Sequence, residues 1–501
     1  MTRLRRVVAS ACPALVAMLP VLLAGCMLGP DFFSPAPPEE KGYTAPDETN
    51  LPPADTAKKA KQRLAVGAKV EDEWWTLFRS PELNRVMKEA LANSPTIAQA
   101  QATLAAAREQ VIVAQGATLP QADLSAGLSR QQFNPAPSGV NREPVPETVY
   151  AIGPSVTYAA DVFGGLARGV ETQQARADVS EYQLAAAYLA LTGNIARQAI
   201  TIAAIRAQIK ATERIIADDA RNLGLVKTQQ GAGTATMVDV TTAESQLAND
   251  RALLPPLRQQ LSAAKHALAV FAGRSPADYP VPDFDLERLT LPRDLPVTVP
   301  SELVRNRPDI LAAEAQLHVA SATIGVATAN LYPSLTLGTS VTQSATDLGN
   351  FFSGLYTAYN IGAVLTAPIF RGGALKAQQR AAVATFDAAF ATYRGTVLQS
   401  FGQVADVLQA LKHDEEAVIA QSRALATAGQ ALKLARLSFS AGMSTLLQVL
   451  DAERQYDRAR IGLVQARAQR VLDTAQLFVA LGSGWWNTPP TLPTAVTTPA
   501  R

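Results

Sequence analysis

The sequence predicts a mostly α-helical chain with a small β part, built by making one unit twice. Three observations carry this. Two runs, Leu166–Gln230 and Arg371–Ser440, are rich in helix formers and contain no proline. At about 1.5 Å per residue the second would span roughly 105 Å, far longer than a globular domain is wide. Four short stretches alternate apolar with small polar residues at period two, as strands do. Finally, Gly442–Glu453 matches Gly233–Glu244 at a constant step of 209 (442 − 233): Gly233/Gly442, Thr236/Thr445, Val240/Val449, Ala243/Ala452 and Glu244/Glu453. A repeat of this kind has to be recognised before domains are counted from length.

Composition narrows the class. The net charge is +2. Arg3, Arg5 and Arg6 open an export signal, so the mature charge is about −1, which gives no electrostatic case for nucleic acid. Val7–Leu23 is the apolar core of that signal, and Leu23-Ala24-Gly25-Cys26 resembles the bacterial lipoprotein cleavage box. Cys26 is then expected to carry an S-diacylglycerol and an N-acyl chain such as palmitate. Met27, where an Asp would favour the inner membrane, suits the outer one. Cys12 leaves with the signal, so no disulfide is expected. Beyond the signal no run reads as a membrane helix, and a membrane role must come from lipid or strands.

The expected division runs in order. Residues 1–25 are the signal, and 26–78 a tether and equatorial segment. The Pro-rich part to about Gly67 is expected to be extended, before the aromatic cluster Trp74-Trp75-Thr76-Leu77-Phe78. Repeat 1 covers 79–271. It opens with Ser80 as N-cap and Pro81 at the first helical position, in a helix to about Thr118 bent at Pro95. Strands follow at about 120–133 and 148–160, then the long helix, a tip at 231–234 and a helix back to Phe271. A linker occupies 272–300. Repeat 2 covers 301–481, with strands at about 333–345 and 355–367, a tip at 440–444 and a last helix. Residues 482–501 are a tail. Leu425, Ala428, Leu432, Ala435 and Phe439 step by three and four, as do Ala452, Tyr456, Ala459 and Leu463. That is an Ala-rich coiled-coil seam.

Four strands are too few to close a barrel, since single-chain outer-membrane barrels start near 8. An open edge in lipid would leave backbone groups unpaired at several kcal/mol each. The sheet is therefore expected to close between subunits, with eight strands in a dimer or twelve in a trimer. A soluble sheet capping a helical stalk shows the same periodicity.

The chain resembles the TolC-like outer-membrane efflux proteins, in particular the lipoprotein (OprM- and NodT-like) branch of drug-efflux factors. The residues that carry the resemblance are Leu23-Ala24-Gly25-Cys26, Trp74–Phe78, Asn306-Arg307-Pro308-Asp309-Ile310, Phe370-Arg371-Gly372-Gly373, Val449-Leu450-Asp451-Ala452 and Leu481-Gly482-Ser483-Gly484-Trp485. The resemblance implies a homotrimer with a twelve-strand outer-membrane β-barrel and a twelve-helix α-barrel. Its implied partners are a periplasmic adaptor and an inner-membrane pump of the resistance-nodulation-division type. The implied activity is passive efflux of drugs or other small molecules, with no enzymatic step. Type I protein secretion and a non-conducting, lipid-anchored stalk are the alternatives.

Leu447 and Asp451 lie four apart and share a helix face, which is expected to close the pore at its periplasmic end. The resemblance matches Asp451 to an aspartate ring and Leu447 to a hydrophobic ring. Three like charges near an axis would favour cations. By residue chemistry alone, Asp451 reads first as a solvated acid favoured by a helix dipole, and the resemblance reverses that order. Gln448 stands where some relatives have a second acid, and Asp239, its counterpart in the first copy, has a doubtful role. Adaptor contacts are expected at Gly231, Gly233, Thr234, Ala441, Gly442 and Met443. No phosphate loop, nucleophile elbow or paired-carboxylate constellation is present. His266, His318 and His413 are scattered and suggest no metal or other cofactor.

Overall fold

A computed structural model describes residues 27–40, 42–44, 62–68, 70–132, 139, 143 and 145–482. The signal, Cys26 and the tail beyond Gly482 lie outside them. The chain groups into two compact units, each assembled from both repeats rather than one from each.

The first unit draws on residues before Ala36, on Thr103–Glu181 and on Ala312–Arg394. It holds four strands: β2 (Gln121–Gln132), β3 (Pro146–Ala160), β5 (Ser334–Ala345) and β6 (Thr357–Thr366). They form one antiparallel sheet in the order β2-β3-β5-β6. The register follows from the alternation, because a one-residue slip would turn every side chain over. Leu124 pairs with Pro154 and Ala126 with Ile152. Tyr158 pairs with Leu337, and Leu337, Thr339 and Val341 pair with Ala363, Ile361 and Tyr359. One face is thus apolar across all four strands. The other carries Asp123, Ser125, Ser155, Ser340 and Asn360. Leu124 is 71% exposed and Ile361 79%. Among the described residues, β2 and β6 each leave one edge without a strand partner.

Residues 27–35 belong to this unit and are not the extended tether that their composition suggests. Arg168, 2% exposed, donates to the Leu28 and Gly29 carbonyls, and at 2.7 Å to both Asp31 and Glu171. Desolvating a guanidinium costs several kcal/mol unless its donors are satisfied, as they are here. Phe32 stacks on His318 with ring centroids 4.4 Å apart, and His318 meets Glu171 at 2.9 Å. Gly29 has φ +93°, and a Cβ there would lie 2.4 Å from the Gly325 Cα, so only glycine fits.

The second unit draws on Ala36–Ala102, Tyr182–Leu311 and the chain from Gly395. Trp74, Phe78 and Phe478 are fully buried, Trp74 stacking on Phe478 at 5.3 Å. Ser80 caps α1 (Pro81–Asn93) by accepting from the Leu83 N–H at 3.2 Å. Strand β1 (Arg63–Val66) pairs in parallel with β4 (Asp294–Val297). Helix α6 (Pro300–Asn306) leads to Arg307, which is buried, holds Asp309 through two bonds of 3.0 and 2.7 Å, and reaches the Ala480 carbonyl at 2.7 Å. The Asn306–Ile310 motif and the segment Ala480–Gly482 are therefore one structure. Gly482 sits at φ +70°, and a Cβ there would strike the Arg307 side chain at 2.8 Å.

The remaining helices are α2 (Pro95–Gly116), α3 (Gly165–Gly231), α4 (Met237–Ala252), α5 (Leu254–Phe271), α7 (Pro308–Ala329), α8 (Ala374–Ser440) and α9 (Leu446–Ala480). Helices α3 and α8 have 67 residues each. The expected bend at Pro95 is a full break between α1 and α2. The return from the first tip is not one helix. Pro255 and Pro256 follow Leu253, and since proline supplies no backbone donor the segment restarts as α5. Among the described residues helix α7 has the length and hydropathy of a membrane span, where no such run was expected beyond the signal.

Candidate functional site

The two turns expected to form the tips share one construction. At the first, Thr234 and Ala235 donate their N–H groups to the Gln229 carbonyl, and Gly233 takes φ +76°. At the second, Met443 donates to the Ser438 carbonyl and Gly442 takes φ +73°. Each glycine occupies the left-handed region that closes a helix C-terminus. Gly231, Ala441, Gly442 and Met443 are all exposed, Met443 by 77%. The Thr234 hydroxyl is turned back onto the Gln229 carbonyl at 3.0 Å.

Past the turns the copies differ. Thr236 caps α4 in a reciprocal capping box: its hydroxyl accepts from the Asp239 N–H, and the Asp239 carboxylate accepts from the Thr236 N–H at 2.8 Å. The Thr236 hydroxyl, then its N–H, hold the Asp239 carboxyl below its ordinary value. This gives the previously doubtful Asp239 a structural duty. Thr445 makes no such bond, and Gln448 stands where Asp239 does.

Leu447 is 61% exposed and the Asp451 side chain 65%. They lie one turn apart on an exposed face of α9. Arg454 approaches Asp451 only to 3.6 Å. Behind them Val449, Leu450 and Glu453 are buried. Glu453, 4% exposed, accepts from Arg436 at 2.7 Å and from the Asn222 amide. One hairpin is thereby joined to the other. The first copy repeats the local part of this at the same step of 209, where Lys227 meets Glu244 at 2.7 Å, in solvent. The counterpart of Asn222 is Ala431, so the bond across the hairpins is made once. Val238, 73% exposed, is the counterpart of Leu447, and Met237 beside it is 67% exposed. Both were missed, although the repeat step alone would have found them. Along the expected seam, Leu432, Ala459 and Leu463 are buried. Gly429 lets the Tyr456 ring approach, since a Cβ would lie 3.3 Å from it.

A four-stranded sheet and two long helical hairpins in one chain are the fold of outer-membrane channel proteins. The family model for outer membrane efflux proteins matches residues 86–274 and again residues 299–483, and the chain belongs to that family. It is 31% identical to the pyoverdine export outer membrane protein OpmQ of Pseudomonas aeruginosa, over 93% of this chain and 96% of that protein. It is 30% identical to nodulation protein T of Rhizobium leguminosarum bv. viciae, over 94% and 93%. Among solved structures it is similar to the outer-membrane channel OprN, with TM-score 0.82 and 26% identity over 92% of this chain and 100% of that one. The open state of the Neisseria gonorrhoeae MtrE outer membrane channel gives 0.79 and 25%, over 92% and 98%.

Proposed function

We propose that three copies of this chain form the outer-membrane conduit of a tripartite efflux system. The observation that carries this is the pair of bare edges, β2 and β6, flanking a sheet whose apolar face is exposed. In lipid each unpaired backbone group costs several kcal/mol, and three four-stranded sheets joined edge to edge form a closed twelve-strand barrel with its apolar face to lipid. The four long antiparallel helical segments per subunit supply a twelve-helix tunnel by the same three-fold operation. The double match of the family model and the ion pairs repeated at a step of 209 support an internal duplication.

Leu447 and Asp451 ring the narrow end: three leucines dewet it, and three carboxylates admit cations before anions. Val238 adds a second apolar position. Cys26 carries lipid into the outer membrane. The tips, with Met443 and Met237 exposed, dock a periplasmic adaptor that brings an inner-membrane pump. Relatives named for pyoverdine export and toluene efflux favour small-molecule cargo.

Planar-bilayer recording tests this. The full-length lipoprotein is expected to conduct poorly and cation-selectively. Leu447→Ala with Asp451→Ala is expected to raise conductance and abolish the selectivity. A protein that runs as a monomer without boiling and passes no current in either form would defeat the proposal.

A further inference from the structure

The four-stranded sheet has two ends. Helices α2, α3, α7 and α8 all join it at one end, and the β5–β6 connection, residues 346–356, lies at the other. Loops that face water favour polar and turn residues. The matching connection of the first copy obeys this in sequence, with Asn134, Asn141, Arg142 and Glu143. Residues 346–356 instead carry Leu348, Phe351, Phe352, Leu355 and Tyr356, and Asp347 is their one charged group. Phe352 and Leu355 are each 92% exposed. The Phe351 and Phe352 rings meet edge-on at 5.3 Å.

The loop does not stand away from the sheet. Gln343 pairs with Ile152 and Thr357 inside the ladder. It lies an even number of residues from Leu337 and Val341, so its side chain issues from the apolar face. The amide nitrogen donates to the Phe351 carbonyl and, at 2.9 Å, to the Ser353 carbonyl, while the amide oxygen accepts from the Thr357 hydroxyl. The loop backbone is thus folded back to the level of Gln343 on the apolar side. Asp347 is engaged locally, accepting from the Gly349 N–H at 3.1 Å. From Leu335 to Gln343 (343 − 335 residues) the strand climbs about 26 Å, or about 20 Å along a barrel axis at a tilt of about 40°. The apolar band of an outer-membrane barrel is about 25 Å tall, so on the channel reading this level falls inside the band. A glutamine is tolerated there only where the protein itself satisfies its polar atoms, and Gln343 has its partners in the loop and in Thr357.

We infer that residues 348–356 form a lipid-inserted hook, with Phe352 and Leu355 among the acyl chains of the outer leaflet and Gln343 holding the loop against the lipid side of the rim. This rests on the channel reading. The occupant is hydrocarbon rather than a headgroup, since the loop offers a phosphate no cation. It continues the sheet's apolar face, where Val341, Tyr359 and Ile361 are exposed. At the opposite end of the sheet Leu28 donates its N–H to the Phe163 carbonyl at 3.3 Å. Lipid carried by Cys26, two residues earlier, would hold that inner rim, and the hook holds the outer one.

Tryptophan fluorescence in vesicles tests it. Full-length protein bearing Phe352→Trp is reconstituted in phosphatidylcholine with plain or with brominated acyl chains, and the signal of the native protein is subtracted. Bromine quenches an indole only on contact. Ile361→Trp reports the apolar face of the sheet, and Met443→Trp reports a hairpin tip. Phe352→Trp is expected to lose most of its emission in brominated lipid, as Ile361→Trp does, while Met443→Trp keeps its own. Adding Gln343→Ala is expected to restore much of the Phe352→Trp emission and to leave Ile361→Trp quenched. If Phe352→Trp stays bright while Ile361→Trp is quenched, the loop lies in water or beneath a neighbouring subunit; the hook is refuted and the channel reading stands. If Ile361→Trp is not quenched either, the sheet is not in lipid and both fall.

Discussion

Replacing Arg436 by Ala should loosen α9 where its counterpart, Lys227→Ala, does almost nothing to α4. The two cations hold equivalent glutamates at the same 2.7 Å. Their surroundings differ: the Glu453 side chain is 5% exposed and that of Glu244 is 48%. Breaking a buried pair leaves an uncompensated charge and typically costs about 3–5 kcal/mol. Arg436 is itself 49% exposed and Asn222 remains as a donor, so about 2 kcal/mol is the reasonable figure. An exposed pair is worth about 0.2–1 kcal/mol. Hydrogen exchange reads the difference locally. Amides around Leu450–Arg454 should exchange about 30-fold faster in Arg436→Ala, and those around Thr241–Ser245 less than about 5-fold faster in Lys227→Ala. Equal effects, or a larger one for Lys227, would show that burial does not set the strength of these pairs.

Trp74→Ala should cost about 3–5 kcal/mol through the cavity left against Phe478 and Phe78, read as a lower midpoint of thermal unfolding. Gly482→Ala combines a left-handed backbone with a collision against Arg307. It should destabilise by about 1–3 kcal/mol and speed proteolysis near Arg307, whereas Gly224→Ala, with open space around it, should not. Thr236→Ala removes the capping box and should cost about 0.5–2 kcal/mol. Because the Asp239 carboxyl is held below its ordinary value of 3.8, the cap's contribution is complete above that value and is lost as pH falls below it. Exchange in the first turn of α4 should quicken only at strongly acid pH.

The strands and long helices were legible because each rests on a single periodicity that its surroundings do not contradict. Leu335, Leu337, Thr339 and Val341 need only alternate to be placed, and α3 and α8 need only lack proline. The turns were legible from Gly233 and Gly442, which the left-handed backbone requires. Charge partnerships between distant segments were not. Arg168 reads as one more cation in a helix, and only the folded chain brings Leu28, Gly29 and Asp31 to it. The break at Leu253 was legible in Pro255-Pro256 and was overridden by the strength of the repeat.

The bare margins of β2 and β6 bear on how such an assembly is born. On the proposed closure, no pair of subunits gains a finished wall, since two of the three seams stay open until the last arrives. Partial assemblies therefore have little to recommend them, and completion should be cooperative. A copy disabled at a single margin would spoil every ring it joins. Co-expressed with the intact chain, such a variant should act as a poison in proportion well beyond its share.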